Sequence, residues 1–268
     1  MLGIIAGETS LPKYLINKLI KNNSKFLILD LTKSNNFKKY ANSYSLKITQ
    51  LGKAISILNK NNCKKIIFIG KVKRPEISLL KFDKKAFFYL PRLYSAFKKG
   101  DGSILKEIIK IFNENKIKVM NSMKFTPELV FNEKNINNIK VSNLDKTSIN
   151  KGIQIIKTLS KFDIGQSVIL NNGYVLAIEG PEGTDEMIKR SGYLSKKLKL
   201  KNKSILIKFP KANQDLRVDL PTLGLDTVKN CIKANIKGIA VKRSQNIILE
   251  RDKIFNLTKK NNFFIISL

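Results

Sequence analysis

The chain has 268 residues, enough for one large domain or two smaller ones, and its apolar fraction of 43% is that of an ordinary soluble globular protein. No apolar run approaches the ~18–20 residues that cross a bilayer, and the opening M-L-G-I-I-A-G is short for a signal peptide and lacks a basic start, so the chain reads as cytoplasmic. The net charge of +31 invites a nucleic-acid reading, but only six of the 51 basic residues are Arg, the Lys are spread over the whole chain, and the basic segments carry little aromatic interleaving; no nucleic acid is expected as a partner.

Read in chain order, Leu2–Ala6 is a short apolar run ending in Gly7, and Leu11–Lys21 has helical spacing. Lys25–Leu31 and Lys65–Gly70 are further strand-like runs, with the helix-like Leu51–Asn61 between them. The Phe-, Tyr- and Leu-rich segment Phe82–Phe97 reads as a core helix pair or as part of an acyl-binding wall, with core the stronger reading, and a helix over Ser103–Asn115 precedes a fourth strand at Lys116–Met120. Alternating strand and helix signals predict a parallel, Rossmann-like sheet with helices on both faces.

The polar, Asn-rich stretch Asn132–Asn143 reads as a linker between an N-terminal domain, 1–131, and a C-terminal α/β domain, 144–268. Beyond it, Ile149–Leu159 is helical, and Ser167–Leu170 and Tyr174–Glu179 flank N-N-G, a hairpin signal. Thr184–Leu198 is expected as a helix with Thr184 as its N-cap. A strand over Ser204–Phe209, a motif-rich loop, a helix over Thr227–Ala234 and three short strands complete an α/β domain with a mixed sheet. Cys63 and Cys231 stand alone in apolar-basic surroundings and read as reduced, buried thiols.

The chain has no His, which removes Ser-His-Asp and Cys-His triads and His metal sites together. Any chemistry then falls to carboxylates, Lys, Arg and backbone amides, with a hard, oxygen-liganded cation such as Mg²⁺ as the natural metal. Five segments are candidates. Gly3–Pro12 is a strand-to-helix turn whose N–H groups suit a phosphate, or simply a turn capped by Thr9 or Ser10. In Gly70–Pro75, Lys71, Lys73 and Arg74 cluster where parallel sheets bind ligands. Asp101, in K-G-D-G, caps a helix or borders a nest for ligand oxygens. In E-G-P-E-G-T-D-E, Glu179–Glu186, the residues Glu179, Glu182 and Asp185 either favour a helix start or converge on a metal or a sugar. The loop Lys211–Gly224 gathers Lys211, Gln214, Asp215, Arg217, Asp219 and Thr222, with Lys208 before it. If it is extended, Asp215, Arg217 and Asp219 share one side.

Taken in order, G-x-I-A-G-x-x-x-L-P, G-K-V-x-R-P, G-D-G, D-I-G-Q-S-V, E-G-T-D and K-x-x-K-x-x-Q-D-x-R-x-D-L-P-T-x-G resemble the UDP-2,3-diacylglucosamine pyrophosphatase of lipid A biosynthesis. The form resembled is the metal-dependent one, unrelated to the calcineurin-like phosphoesterases. The likeness runs from Leu2 to the C-terminus, and its last two motifs are the specific ones. It implies hydrolysis of UDP-2,3-diacylglucosamine to UMP and 2,3-diacylglucosamine 1-phosphate, with Asp219 as the catalytic aspartate and Thr184 and Lys208 in contact with substrate. The Gly7–Ser10 turn matches part of the substrate surface. The family usually has a Gly-rich turn there, and this chain has Glu8, Thr9 and Ser10, so Thr9 offers a hydroxyl instead. Lys71, Arg74, Asp101, Glu182, Lys211, Gln214, Arg217 and Thr222 are the further substrate candidates, and Asp219 with Asp185 the metal candidates. A lipid product implies transient contact with the inner membrane, and self-association into a homo-oligomer stays open. Two rivals are a nicotinamide-dependent oxidoreductase, which lacks G-x-G-x-x-G here, and a non-catalytic basic protein binding nucleic acid or anionic membrane.

Overall fold

A computed structural model describes residues 1–72, 83–212, 214–218 and 221–268. Two compact units emerge: Met1–Pro127 with Asp215–Asp219, and Glu128–Gln214 with Leu220–Leu268.

The first unit is built on five parallel strands, β1 (Leu2–Ala6), β2 (Phe26–Asp30), β3 (Ser43–Ser45), β4 (Lys65–Ile69) and β5 (Lys118–Val119), in the order β3-β2-β1-β4-β5. That is the order of a Rossmann-like sheet short of its sixth strand. The inner strands are unbroken apolar runs because both faces are covered. Leu27, Leu29 and Ile66 pack there with Leu58 of α2 (Leu51–Lys60) and with Phe112 of α4 (Asp101–Glu114). Helix α1 (Leu11–Lys21) follows β1 and buries Leu15 and Ile16 completely. The edge strand β3, S-Y-S, is short and polar and gives no periodic signal.

The aromatic segment is one helix rather than a pair. Helix α3 (Lys84–Lys99) runs through Pro91, buries Tyr89 and Ala96, and leaves Phe87, Phe88 and Tyr94 exposed. The core expected of this whole segment is therefore confined to one side of it.

The second unit has a mixed sheet, β12-β10-β8-β6-β7. Its strands are β6 (Ser167–Asn171), β7 (Tyr174–Ile178), β8 (Ser204–Lys208), β10 (Ile236–Val241) and β12 (Phe264–Ser267). β8, β10 and β12 are parallel, while β6 runs antiparallel to both β8 and β7. The β6–β7 turn has Asn172 and Gly173 at φ 46° and 81°, the left-handed pair that N-G supplies to a tight hairpin. A separate two-stranded ribbon pairs β9 (Thr222–Leu223) with β11 (Ile247–Ile248).

Helices α6 (Thr184–Lys197), α7 (Leu225–Lys233) and α8 (Arg251–Lys260) cover one face, burying Met187, Ile188, Val228, Cys231 and Ile254. Helix α5 (Asn143–Leu159) covers the other with Ile149 and Ile156. α5 begins earlier than its apolar spacing suggests, because Ser142 and Asp145 form a capping box that holds a polar first turn. The Asn-rich stretch ahead of it is tied into this unit: Ile136 N–H donates to the Ile265 carbonyl, and Ser267 N–H to that of Lys134. Among the described residues no helix is long and apolar enough to cross a membrane.

Candidate functional site

The sheet of the second unit brings three polar ends to one edge. Ser167, at the start of β6, sits opposite Lys208, the last residue of β8. On the other flank Glu179, just past β7, donates its N–H to the Ser167 carbonyl at 3.0 Å. Parallel strands of α/β sheets present ligands at their carboxyl ends, and β7 and β8 both end here. Lys208 is 5% exposed and Glu179 7%.

Thr184 links them. Lys208 Nζ donates to Thr184 Oγ1 at 2.6 Å, and Thr184 Oγ1 donates to Glu179 Oε1 at 3.1 Å. Ser167 Oγ lies 3.4 Å from the same hydroxyl. Glu179 Oε2 accepts the Gln166 N–H at 3.3 Å, and Gln166 Oε1 accepts from Gln214 Nε2 at 3.4 Å. Thr184 is thus not the N-cap of α6. Gly183 takes that position with φ 83°, a conformation suited to glycine, and the Thr184 hydroxyl is turned to the buried acid and ammonium instead.

The segment before β6 closes over this cluster. Gly165 has φ 49°, and a Cβ there would stand 2.3 Å from the Glu179 carbonyl oxygen. Lys211 Nζ reaches back to Asp163 Oδ1 at 2.5 Å and to its carbonyl at 3.3 Å. Gln214 Oε1 accepts the Lys211 N–H at 2.8 Å and so folds the start of the loop after β8. Thr184, Lys208, Lys211 and Gln214 are therefore gathered in one unit, together with Glu179, which the sequence offered as a metal- or sugar-binding acid, and with Asp163, Gln166 and Ser167, which it offered only within D-I-G-Q-S-V.

The acidic run does not converge as a metal centre. Glu182 pairs with Arg190 at 2.8 Å, and that guanidinium holds its carboxyl below the usual range; Glu186 pairs with Lys189 at 2.7 Å. Asp185 is exposed in the first turn of α6. Among the described residues no three Asp, Glu or Cys side chains come together as a metal-binding group.

The extended reading of the segment after Gln214 is also corrected. Asp215 Oδ1 accepts the Arg217 N–H at 3.0 Å and the Asp215 carbonyl accepts the Val218 N–H at 3.1 Å, so the chain turns. A short acid capturing the N–H two residues on competes directly with extension. The Arg217 fork closes on Asp215, Nε to Oδ1 at 2.9 Å and Nη2 to Oδ2 at 2.6 Å, which depresses the carboxyl and raises the guanidinium. Thr222 opens β9, and Asp219 and Arg74 lie outside the described residues.

In the first unit, Gly7 and Gly70 let the ends of β1 and β4 touch. Glu8 and Lys71 exchange backbone bonds of 2.8 and 2.9 Å. Gly70 has φ 87°, and a Cβ there would meet the Glu8 carbonyl at 2.5 Å. Lys71 itself is exposed. Thr9 follows with φ 97°, a strained value for a β-branched residue, and Ser10 precedes α1 without a side-chain cap bond. Gly100, with φ 115°, is the N-cap of α4, and Asp101 is the first residue of that helix. Asp30 ends β2, where dinucleotide-binding sheets place a ribose-binding acid. It is wholly buried, with Oδ1 taken by the Thr32 N–H and hydroxyl and Oδ2 by the Phe37 N–H. That arrangement disfavours the nicotinamide reading.

Residues 1–129 match the family described as LpxI N-terminal domain, and residues 132–266 match that described as LpxI C-terminal domain. A curated protein of Caulobacter vibrioides, named UDP-2,3-diacylglucosamine pyrophosphatase LpxI, is 26% identical over 272 residues, spanning 100% of this chain and 97% of its own.

Proposed function

The chain belongs to the LpxI family, and we propose that it hydrolyses the pyrophosphate bond of UDP-2,3-diacylglucosamine, giving UMP and 2,3-diacylglucosamine 1-phosphate in lipid A biosynthesis. The observation that carries this reading is the buried ammonium of Lys208, fixed at the carboxyl end of β8 by Thr184. A cation kept out of water at a sheet edge suits an anionic substrate, because its field there is little screened.

Hydrolysis of a pyrophosphate asks for charge neutralised on the non-bridging oxygens and for a water held in line with the leaving group. Lys208 serves the first need. Lys211 and Gln214 shape the loop that follows it, and Arg217, closed on Asp215, is the second strong cation of that loop. Asp219 is assigned the second need, orienting water or holding the metal. The cofactor proposed is Mg²⁺ or another hard divalent cation. Such an ion is commonly held by one or two carboxylates together with substrate phosphates, so Asp219 with the pyrophosphate oxygens is a sufficient set, and Asp185 is the second candidate. When bound, it would supply Lewis-acid charge neutralisation at those oxygens. Thr9, Lys71, Arg74, Asp101, Glu182 and Thr222 are carried as candidate substrate contacts. The place of action is proposed to be the cytoplasm, with transient contact at the inner membrane aided by the +31 charge.

The test is Asp219→Ala. Turnover should vanish while the fold and substrate affinity persist, since a carboxylate acting on the transition state lowers kcat far more than it weakens binding. An active variant would remove Asp219 from its role.

A further inference from the structure

We infer that Glu179 is a positioning residue for the proposed reaction: it sets the direction of the Thr184 hydroxyl and thereby fixes the Lys208 ammonium. The inference rests on the pyrophosphatase reading above and goes beyond it, to a residue outside the motif that carries Asp219.

Glu179 is buried immediately past β7, in a chain with only 20 acidic residues. Its neighbours in the same acidic run behave differently: Glu182 and Glu186 sit at the surface and pair there with Arg190 and Lys189. A buried carboxylate is costly unless it is hydrogen-bonded, and Glu179 accepts from Thr184 Oγ1 at 3.1 Å and from the Gln166 N–H at 3.3 Å.

The order of donors in this chain of groups is settled by chemistry. A carboxylate only accepts and an ammonium only donates, while a hydroxyl has a single proton. Lys208 must therefore donate to Thr184, and Thr184 must donate to Glu179. With its proton committed to Glu179, the Thr184 oxygen presents lone pairs alone. A phosphate oxygen, itself an acceptor, gains no donor there. Thr184 acts as a relay that locates the ammonium, and Glu179 is what keeps the relay pointing one way. The close approach of Gly165 to the Glu179 backbone holds the carboxylate in register.

The test compares kcat/KM for UMP release among Glu179→Ala, Glu179→Gln, Thr184→Val, Thr184→Ser, Lys208→Ala and the double variant Glu179→Ala/Thr184→Val, each checked by thermal melting. Glu179→Ala should lose on the order of 10- to 100-fold, as expected for a buried hydroxyl left without its acceptor. The double variant should be no worse than Thr184→Val alone, because the two residues act as one unit. Thr184→Ser should stay within about threefold of wild type, since it keeps the hydroxyl, and Glu179→Gln should recover most of the loss, since it keeps an oxygen for Thr184. Losses that multiply in the double variant would overturn the inference, and so would a fully active Glu179→Ala beside inactive Thr184→Val and Lys208→Ala. If Thr184→Val and Lys208→Ala are themselves fully active, the placement of substrate at this cluster fails, and the inference fails with it.

Discussion

Replacing Gly165 by Ala should damage stability and turnover together, because one methyl group meets the backbone of the residue that orients the cluster. The position has φ 49°, which an L residue adopts at a cost of about 1–2 kcal/mol. The new Cβ would stand 2.3 Å from the Glu179 carbonyl oxygen and 3.1 Å from the Glu179 Cβ. The first is about 1 Å inside van der Waals contact, and it is a backbone atom that cannot rotate away. Overpacking of this kind typically adds about 1–3 kcal/mol, for a total near 2–5 kcal/mol. In a unit of this size that corresponds to a melting point lower by roughly 8–20 °C. The Glu179 shift should also carry Thr184 and Lys208 with it, and a misplacement near 1 Å can cost about 100-fold in rate. The assay is thermal melting followed by steady-state UMP release well below the transition. Gly173→Ala is the control: its φ of 81° is also left-handed, but nothing lies within 4 Å of its Cβ position, so it should lose stability alone. A Gly165→Ala protein with wild-type melting point and wild-type kcat/KM would refute the reasoning.

Three further outcomes are expected. Lys211→Met removes the partner of Asp163 and should lower the urea midpoint by the equivalent of about 1 kcal/mol; an unchanged midpoint would mean that the pair does not hold the loop. Burial pushes the Cys231 thiol well above its ordinary value, so above pH ~8.5 the unfolded chain loses a proton that the folded chain keeps, and stability falls by about 1.4 kcal/mol per pH unit. Urea unfolding under reducing conditions at pH 8 and 10 should show that fall in the wild type and a shallower one in Cys231→Ala. Chelation with EDTA should stop UMP release and added Mg²⁺ restore it; a full rate in chelator would remove the divalent ion from the reaction.

The sheets were legible wherever a strand is buried on both faces, since runs such as Ile4–Ala6 and Ile205–Ile207 then lose all polar interruption. The β6–β7 hairpin followed from N-N-G for an equally local reason. What escaped were elements whose cause is tertiary or side-chain specific. The strand β9, two residues paired with β11, has no period to read. Asp215 bends its own loop by taking the Arg217 N–H, which alternation cannot anticipate. In the site, the density of charge after β8 pointed to Lys208, Lys211 and Gln214, but not to which acid of Glu179–Glu186 turns inward. The available signal was position: Glu179 directly continues a strand in a chain poor in acids, whereas Glu182 follows Gly180 and Pro181, and Glu186 follows Gly183 as well, into solvent.

The most direct measurement is product identification, by ³¹P NMR and chromatography, after incubating the purified protein with UDP-2,3-diacylglucosamine and Mg²⁺. UMP and 2,3-diacylglucosamine 1-phosphate are expected in equal amounts, the signature of cleavage between the two phosphorus atoms. UDP with a free diacylated sugar, or intact substrate in the presence of folded protein, would contradict it.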